Sequence, residues 1–168
     1  MLPVHPPAWI HDAPFRVAAS RTIPAPAEAV WAVLADHAAW PSWFTTLTTV
    51  EVTGSPTGVG GRRRVAIGRA RLDEEFTAWE PAREFSFAVT EVTMQPTRLR
   101  TIKVPLVKGM AESIRLNPVG DDRCAVVYEQ GIEPTRFGAI VLKGATKKME
   151  TTLHTALERL EARVLAAN

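Results

Sequence analysis

The sequence is short of most features that mark a specialised class. It holds one cysteine, Cys124, so no internal disulfide can form, and a reducing compartment is the simplest setting. Its longest unbroken apolar run, Ala29 to Ala35, is seven residues, far below the ~18 of a membrane-spanning helix. The opening MLPVHPPAWIHDAP has no positively charged start and is broken by prolines, which argues against a signal peptide and makes a cytoplasmic location the expectation. Neither sign of charge dominates: 20 Lys and Arg stand against 18 Asp and Glu, so bulk charge supplies no polyanion-binding tail. Internal repeats and low-complexity linkers are also missing.

Motifs for metal and cofactor chemistry are equally scarce. His5 and His11 lie in the proline-rich start, His37 follows a helix, and His154 sits on a helix's polar flank. No two of them share a metal-ligand spacing. His37, near Trp40, reads either as a pocket base or as a hydrated helix end. Gly58-Val59-Gly60-Gly61 precedes a strand rather than a helix, so it does not read as a phosphate cradle. No G-x-S-x-G occurs. Cys124 starts a strand with no histidine nearby in sequence and reads as inert. No metal and no cofactor are expected.

What is present suits one ordinary domain. A chain of 168 residues buries about 70% of its unfolded surface, and 46% apolar content can fill that core. Four of the 13 prolines fall within residues 1–14, which therefore read as an extended N-terminal arm, laid along the domain through Trp9 and Ile10. Residues 15–168 form the domain proper. Phe15 to Ile23 reads as a strand. Pro26 then opens a helix with Glu28 in its first turn and Val30, Val33 and Leu34 on its apolar face. Ala38 to Phe44 reads as a second short helix interrupted by Pro41. From Thr46 to Glu133 the chain reads as successive strands. Thr135 caps a long helix to about Ala166, whose apolar stripe includes Gly138, Leu142, Ala145, Met149, Leu153 and Leu160. The economical arrangement is α+β: a curved antiparallel sheet of about six or seven strands wrapped around the C-terminal helix, with two short helices after the first strand.

The turns define an inner sheet face. A two-residue turn at Gly68-Arg69 or Arg69-Ala70 puts Val65, Ile67, Leu72, Phe76 and Ala78 on one side. A two-residue turn at Pro81-Ala82 sets Ala78 opposite Phe85 and Phe76 opposite Phe87, with Val89 on the same face. Arg62, Arg64, Asp73, Glu75, Thr77, Glu84 and Ser86 fall on the other, solvent-like face. Two charges interrupt the apolar side, Arg63 and Glu74, directly opposite or diagonal depending on the turn. Such a pair is either a polar anchor facing a cavity or a feature of the sheet edge. Glu112 shares the parity of Ile114 and Leu116. Tyr128, the single tyrosine, faces in or out according to the length of the turn near Gly120. The cluster Arg62, Arg63, Arg64, Arg69 and Arg71 splits between two faces and is followed by Asp73, Glu74 and Glu75. It reads as a self-neutralising hairpin rather than a nucleic-acid surface.

The segment IPAPAEAVWAVLADHAAWPSWF resembles the N-terminal signature of the START-like (SRPBCC) superfamily, which includes polyketide cyclase/dehydratase-like and Bet v 1-like helix-grip proteins. Ile23, Pro26, Val30, Trp31, Leu34, Asp36, Trp40, Pro41 and Trp43 carry that match. GVGGRRR, FTAWEPAREFSF, SIRLNPVGDDRCAVVYE and KKMETTLHTALERLEARV resemble the superfamily's third-strand entry, two of its hairpins and its closing helix. Arg123 departs from the pattern, standing where the superfamily often has threonine. The resemblance runs from Phe15 to Ala166 and implies a helix-grip fold with an apolar cavity between sheet and last helix.

On that footing the expected function is binding of a hydrophobic small molecule: a lipid, an isoprenoid or a polyketide-like ring. The sheet would supply Arg63, Val65, Glu74, Phe76 and Phe87 to the pocket, and the last helix Leu142, Ala145 and Met149. Trp43 and Phe44 would stand at a cavity end, and Trp40 reads as core. One alternative is an enzyme resembling the superfamily's aromatase/cyclases and dehydratases. Arg63 and Glu74 are then the catalytic candidates, with Glu112 and Tyr128 behind them. Another is a protein-interaction module acting through the arm. Oligomeric state is left open.

Overall fold

The computed structural model describes residues 1–97, 100–103 and 106–167. Strand β1 (Phe15–Ile23) leads into helix α1 (Ala27–Ala35), which Pro26 introduces in an extended conformation. A 3-10 turn over His37–Ala39 follows, capped by Asp36 through the Ala38 amide, and runs into α2 (Trp40–Trp43). Pro41 lies in the first turn of α2, where its missing amide costs nothing, so it helps start that helix instead of interrupting one. Strands β2 (Thr49–Val52), β3 (Arg62–Ile67), β4 (Ala70–Glu80), β5 (Glu84–Thr97), β6 (Arg100–Lys103), β7 (Val107–Pro118) and β8 (Cys124–Pro134) complete an antiparallel sheet. Its order is β1-β8-β7-β5-β4-β3-β2, with β6 paired to β5 off that path.

The terminal helix is two helices, α3 (Arg136–Lys143) and α4 (Thr146–Ala167), rather than the single one expected. Thr135 does cap the first, accepting from the Gly138 amide at 3.0 Å. Gly144 ends it, and the chain re-enters helical bonding at Met149, whose amide donates to the Ala145 carbonyl. The expected stripe survives the break: Leu153, Ala156 and Leu160 are buried against the sheet, and Lys143, Lys147, His154 and Glu158 are exposed.

The β3–β4 turn is Gly68-Arg69, with Gly68 at φ 57°, so Ile67 pairs with Ala70 and Arg63 stands directly opposite Glu74. Val65, Leu72, Phe76, Phe87 and Val89 are buried on the inner face as expected, whereas Ile67 is 40% exposed at the hairpin's end. The β4–β5 connection is longer than two residues: Glu80 pairs with Glu84, and Ala82 adopts φ 57°. This sets Trp79, not Ala78, opposite Phe85. A bulge between Phe76 and Ala78 absorbs the offset and restores the expected pair Phe76–Phe87.

The outer face is only partly wet. Arg62 pairs with Glu75 and Arg64 with Asp73 across it, as a self-neutralising hairpin should. Ser86, however, is fully buried. Residues 7–12 of the N-terminal segment form a 3-10 helix, where an extended arm was expected: Pro6 caps its start and Pro7 fills its first position, where a missing amide costs nothing and φ is already set. That helix sets Ile10 against Ala88 and Ala111 on the sheet's outer side. Gly131 permits the approach: a Cβ there would lie 2.9 Å from the Ile10 Cα.

Candidate functional site

Sheet curvature and the set of small and medium side chains on α4 leave a cavity of about 230 Å³. Val65, Leu72 and Phe87 form its sheet wall, and Ala145, just before α4, with Lys148, Met149 and Leu153 of α4, forms its helix wall. Phe44 and Trp40 close one side, and Ile67 and Thr46 also contribute. A second, wholly apolar cavity of about 210 Å³ shares Leu72, Met110 and Met149 with the first and adds Leu142, Gly138 and Leu106. An enclosed apolar space of about 150 Å³ is enough to hold benzene, so each cavity has room for a larger guest.

The polar groups of the first cavity fall into two sets. In one, the Arg63 Nε–H donates to Glu74 Oε2 at 2.6 Å. Both side chains are almost fully buried, at 1% and 4% exposure. The Arg63 guanidinium lies 3.8 Å from the Trp40 ring centroid and 4.6 Å from that of Phe87. Burial pushes the Glu74 carboxyl up, while Arg63 pulls it back toward ionisation. A desolvated guanidinium over an aromatic face gains on the order of 2 kcal/mol, so the rings add to what Glu74 supplies. Behind them, His37 is buried with Nε2 2.7 Å from the Pro56 carbonyl oxygen. Only an Nε2–H can donate there, which leaves Nδ1 unprotonated toward Arg63 at 3.5 Å. Burial lowers the His37 pKa, Arg63 lowers it further, and the ring is neutral at neutral pH. His37 is thus neither a hydrated helix end nor a group lining the cavity. It supports Arg63 from behind.

In the second set the Tyr128 hydroxyl donates to Glu112 Oε2. Both line the cavity, and Gln130 also bonds the Glu112 carboxyl. Five residues separate Pro118 from Cys124, which turns Tyr128 inward opposite Ile114. Burial is the main cause that raises the Glu112 pKa to about 7, and the nearby Glu74 adds to it. The hydrogen bonds from Tyr128 and Gln130 and the charge of Arg63 oppose the rise. Burial and the Glu112 carboxyl push the Tyr128 phenol well above its ordinary value, so it keeps its proton.

Of the residues expected at the pocket, Phe44, Arg63, Val65, Glu74, Phe87, Ala145 and Met149 line the first cavity. Leu142 lines the second. Trp43 and Phe76 line neither. Trp43 is fully buried against Trp40 and Phe44. Phe76 is enclosed by His37, Trp79 and Phe85. Trp40, which read as core, faces the cavity because its indole Nε1–H is held by the Leu34 carbonyl at 2.8 Å. Gly138 does not simply leave space: a Cβ there would lie 1.8 Å from the Leu106 carbonyl oxygen, so its small size allows close backbone contact. Cys124 is buried, and burial raises its thiol pKa. Among the described residues, no group of three or more His, Cys, Asp or Glu is placed to hold a metal ion. Nor is any helix long and apolar enough to cross a membrane.

A family model described as polyketide cyclase/dehydrase and lipid transport matches residues 14–165. The chain belongs to this family. Its fold is that of the START-like helix-grip superfamily. A protein from Thermus thermophilus superposes with TM-score 0.71 at 26% identity, over 92% of this chain and 99% of that one. An aromatase/cyclase from Streptomyces superposes with TM-score 0.68 over 89% of this chain and 93% of its own, and a START superfamily protein from Mycobacterium smegmatis with 0.67 over 91% and 99%. Their identities, 18% and 14%, make these likenesses of fold alone. Uncharacterized proteins of Mycobacterium tuberculosis and Mycobacterium bovis are 42% identical over 66 residues. That match covers 38% of this chain and 40% of theirs.

Gln130, Met110 and Lys148 line the cavity without having been singled out from the sequence, and Trp40 and His37 take places other than those expected of them. The pattern WPSW fixed a short helix but not which indole turned inward. Gln130 shares the parity of Tyr128 along β8, so it could have been found once the turn length before Cys124 was settled.

Proposed function

We propose that the protein binds an uncharged apolar small molecule bearing one hydroxyl or carbonyl group. The apolar body would occupy the cavity between sheet and α4, and the polar end would meet Tyr128 and Glu112. The observation that carries this reading is the division of labour among the polar groups. Arg63 already has Glu74, His37 and two ring faces, whereas the Glu112–Tyr128 pair opens on the cavity with no cation of its own. A carboxylate-bearing guest would bring a third negative centre beside Glu74 and Glu112, and the lining's other cation, Lys148, is an exposed side chain of α4 that keeps its water. Burying the guest's apolar surface contributes about 25 cal/mol per Å². Titration calorimetry with decanol and decanoate tests this. Decanol should bind at least about tenfold more tightly than decanoate above neutral pH, where the ionised Glu112 resists a further anion. Equal affinity, or preference for decanoate, would overturn the charge argument.

A second reading follows from the same pair. A carboxyl titrating near 7 beside a protonated phenol in a dry cavity has the makings of an acid–base pair. Ionised Glu112 would take a proton from a carbon next to a carbonyl, and the Tyr128 hydroxyl would hydrogen-bond the oxygen on which charge develops. Aldol closure of a poly-ketone chain with loss of water uses both: each proton that Glu112 takes from carbon returns to oxygen, first to the aldol alkoxide and then to the hydroxyl that departs as water. On this reading Glu112 replaces Arg63 and Glu74 as the group to test. Glu112→Gln should abolish turnover of a poly-ketone while retaining decanol binding. Unchanged product formation would exclude Glu112 as the base.

A further inference from the structure

Helix α3 has two unlike sides. Toward the domain, Gly138 and Leu142 line the second apolar cavity, and Gly138 packs on the Leu106 carbonyl. Away from it, Phe137 and Ile140 are 64% and 76% exposed, one helical turn apart. A single exposed apolar side chain is ordinary, but two on adjacent turns of a short helix form a patch. The charge around them is of one sign. From Thr135 to Met149 the sequence contains Arg136, Lys143, Lys147 and Lys148 and no acidic residue. Arg136, Lys143, Lys147 and Lys148 are all exposed. The nearest acids in sequence are Glu133, which pairs with Lys108, and Glu150 on the first turns of α4.

We infer that α3 and the first turn of α4 dock on the surface of an anionic phospholipid bilayer. Phe137 and Ile140 would enter the interface while the four cations meet lipid phosphates. Large apolar side chains flanked by lysine and arginine, on a helix too short to span, are what such a surface takes. The helix that carries the patch also forms a wall of the second apolar cavity. An apolar guest passing between bilayer and protein would have the shortest dry route there. That last step rests on the ligand-binding reading; the docking itself does not.

Co-sedimentation of the full chain with vesicles tests the inference. Vesicles of equal parts phosphatidylcholine and phosphatidylglycerol should bind the protein, and phosphatidylcholine alone should bind it much less. Added salt should weaken the binding. Lys143→Gln and Lys147→Gln should each weaken it by about fivefold. Phe137→Ser with Ile140→Ser should reduce it at least about tenfold. Decanol binding in solution should stay at the wild-type level in that double variant, because neither residue lines a cavity. Equal binding to both vesicle types, or vesicle binding indifferent to the double substitution, would overturn the inference. So would a wild-type dimer that the double substitution converts to monomers, because the patch would then face a second copy. Loss of decanol and vesicle binding together would likewise count against it, as the substitutions would have acted on the cavity. Vesicle binding without any decanol binding would sustain the docking and sink the ligand reading.

Discussion

Arg63 and Glu74 stand directly opposite each other on β3 and β4, and their side chains meet at 2.6 Å inside the sheet's concave face. The two charges that β3 and β4 set on the concave face therefore neutralise each other before any guest arrives. Removing one leaves the other buried and unpaired. Arg63→Met should cost about 3–5 kcal/mol of stability in urea denaturation. Arg63→Met with Glu74→Leu should recover most of that loss. A double variant as unstable as the single one would show that the pair is not a self-contained unit.

Glu112 makes stability depend on pH in a definite direction. Its folded pKa, about 7, lies above the ordinary carboxyl value of 4.5. Between those two values the folded protein holds more protons than the unfolded chain, so its contribution is full below the lower value and is lost as pH rises through about 7. The span corresponds to roughly 3 kcal/mol, an upper bound given the partners that share the site. Glu112→Gln should remove this loss and gain stability relative to wild type at ~pH 8. His37 acts in the opposite sense. Its depressed pKa gives stability that is present above its ordinary value of 6.5 and lost as pH falls through its folded value. With Glu112 replaced, the loss of stability toward alkaline pH should shrink, leaving the smaller opposed effects of His37 and of Glu74, whose carboxyl burial also raises. A variant that keeps the wild-type decline toward alkaline pH would contradict the assignment to Glu112.

The Tyr128 hydroxyl is one of the donors that hold Glu112 toward ionisation. In Tyr128→Phe, carbon-detected titration of the Glu112 carboxyl should move its midpoint above about 7. Decanol affinity should fall by up to about tenfold, the worth of one hydrogen bond between neutral groups. A midpoint that stays in place would mean that the two groups are not coupled.

Volume is the other requirement for a guest. Val65 is 1% exposed and lines the cavity from the sheet side. Val65→Phe should fill part of the space, abolish decanol binding and change stability by no more than about 1–3 kcal/mol. Decanol bound with wild-type affinity would place the guest elsewhere.

The N-terminal 3-10 helix belongs to the domain's packing. Gly131→Val should push Ile10 off the outer face, cost on the order of 1–3 kcal/mol and open the first 14 residues to proteolysis. Unchanged protease resistance would show that the segment is held by other contacts.

Much of this architecture was legible in the residues. Alternation along Arg62–Ile67 and Ala70–Phe76 placed Val65, Leu72, Phe76 and the Arg63–Glu74 pair on one face. That pattern holds because a single burial requirement governs both strands. It failed at Ala78, where an unpredicted turn conformation at Ala82 and a compensating bulge changed which residue faces in. Tyr128 was undecided for the same reason, since its direction depends on a loop length that parity cannot supply. The break at Gly144 was hidden because the apolar stripe continues across it. Trp40 belongs to the core as expected and also reaches the cavity, whereas Trp43 does not reach it, because helical spacing alone does not say which ring a backbone carbonyl will hold. Sequence pattern locates faces well. It locates cavities poorly, because a cavity depends on side-chain directions rather than on positions.

Whether an uncharged apolar guest occupies the cavity with its polar end at Glu112 and Tyr128 is decided by a crystal structure of the protein soaked with decanol. An alkyl chain should lie between Val65, Phe87 and Met149, with its hydroxyl in hydrogen-bond reach of Glu112. A vacant cavity at saturating decanol, or a chain whose hydroxyl lies against Arg63 with the Glu74 pair broken, would contradict that placement.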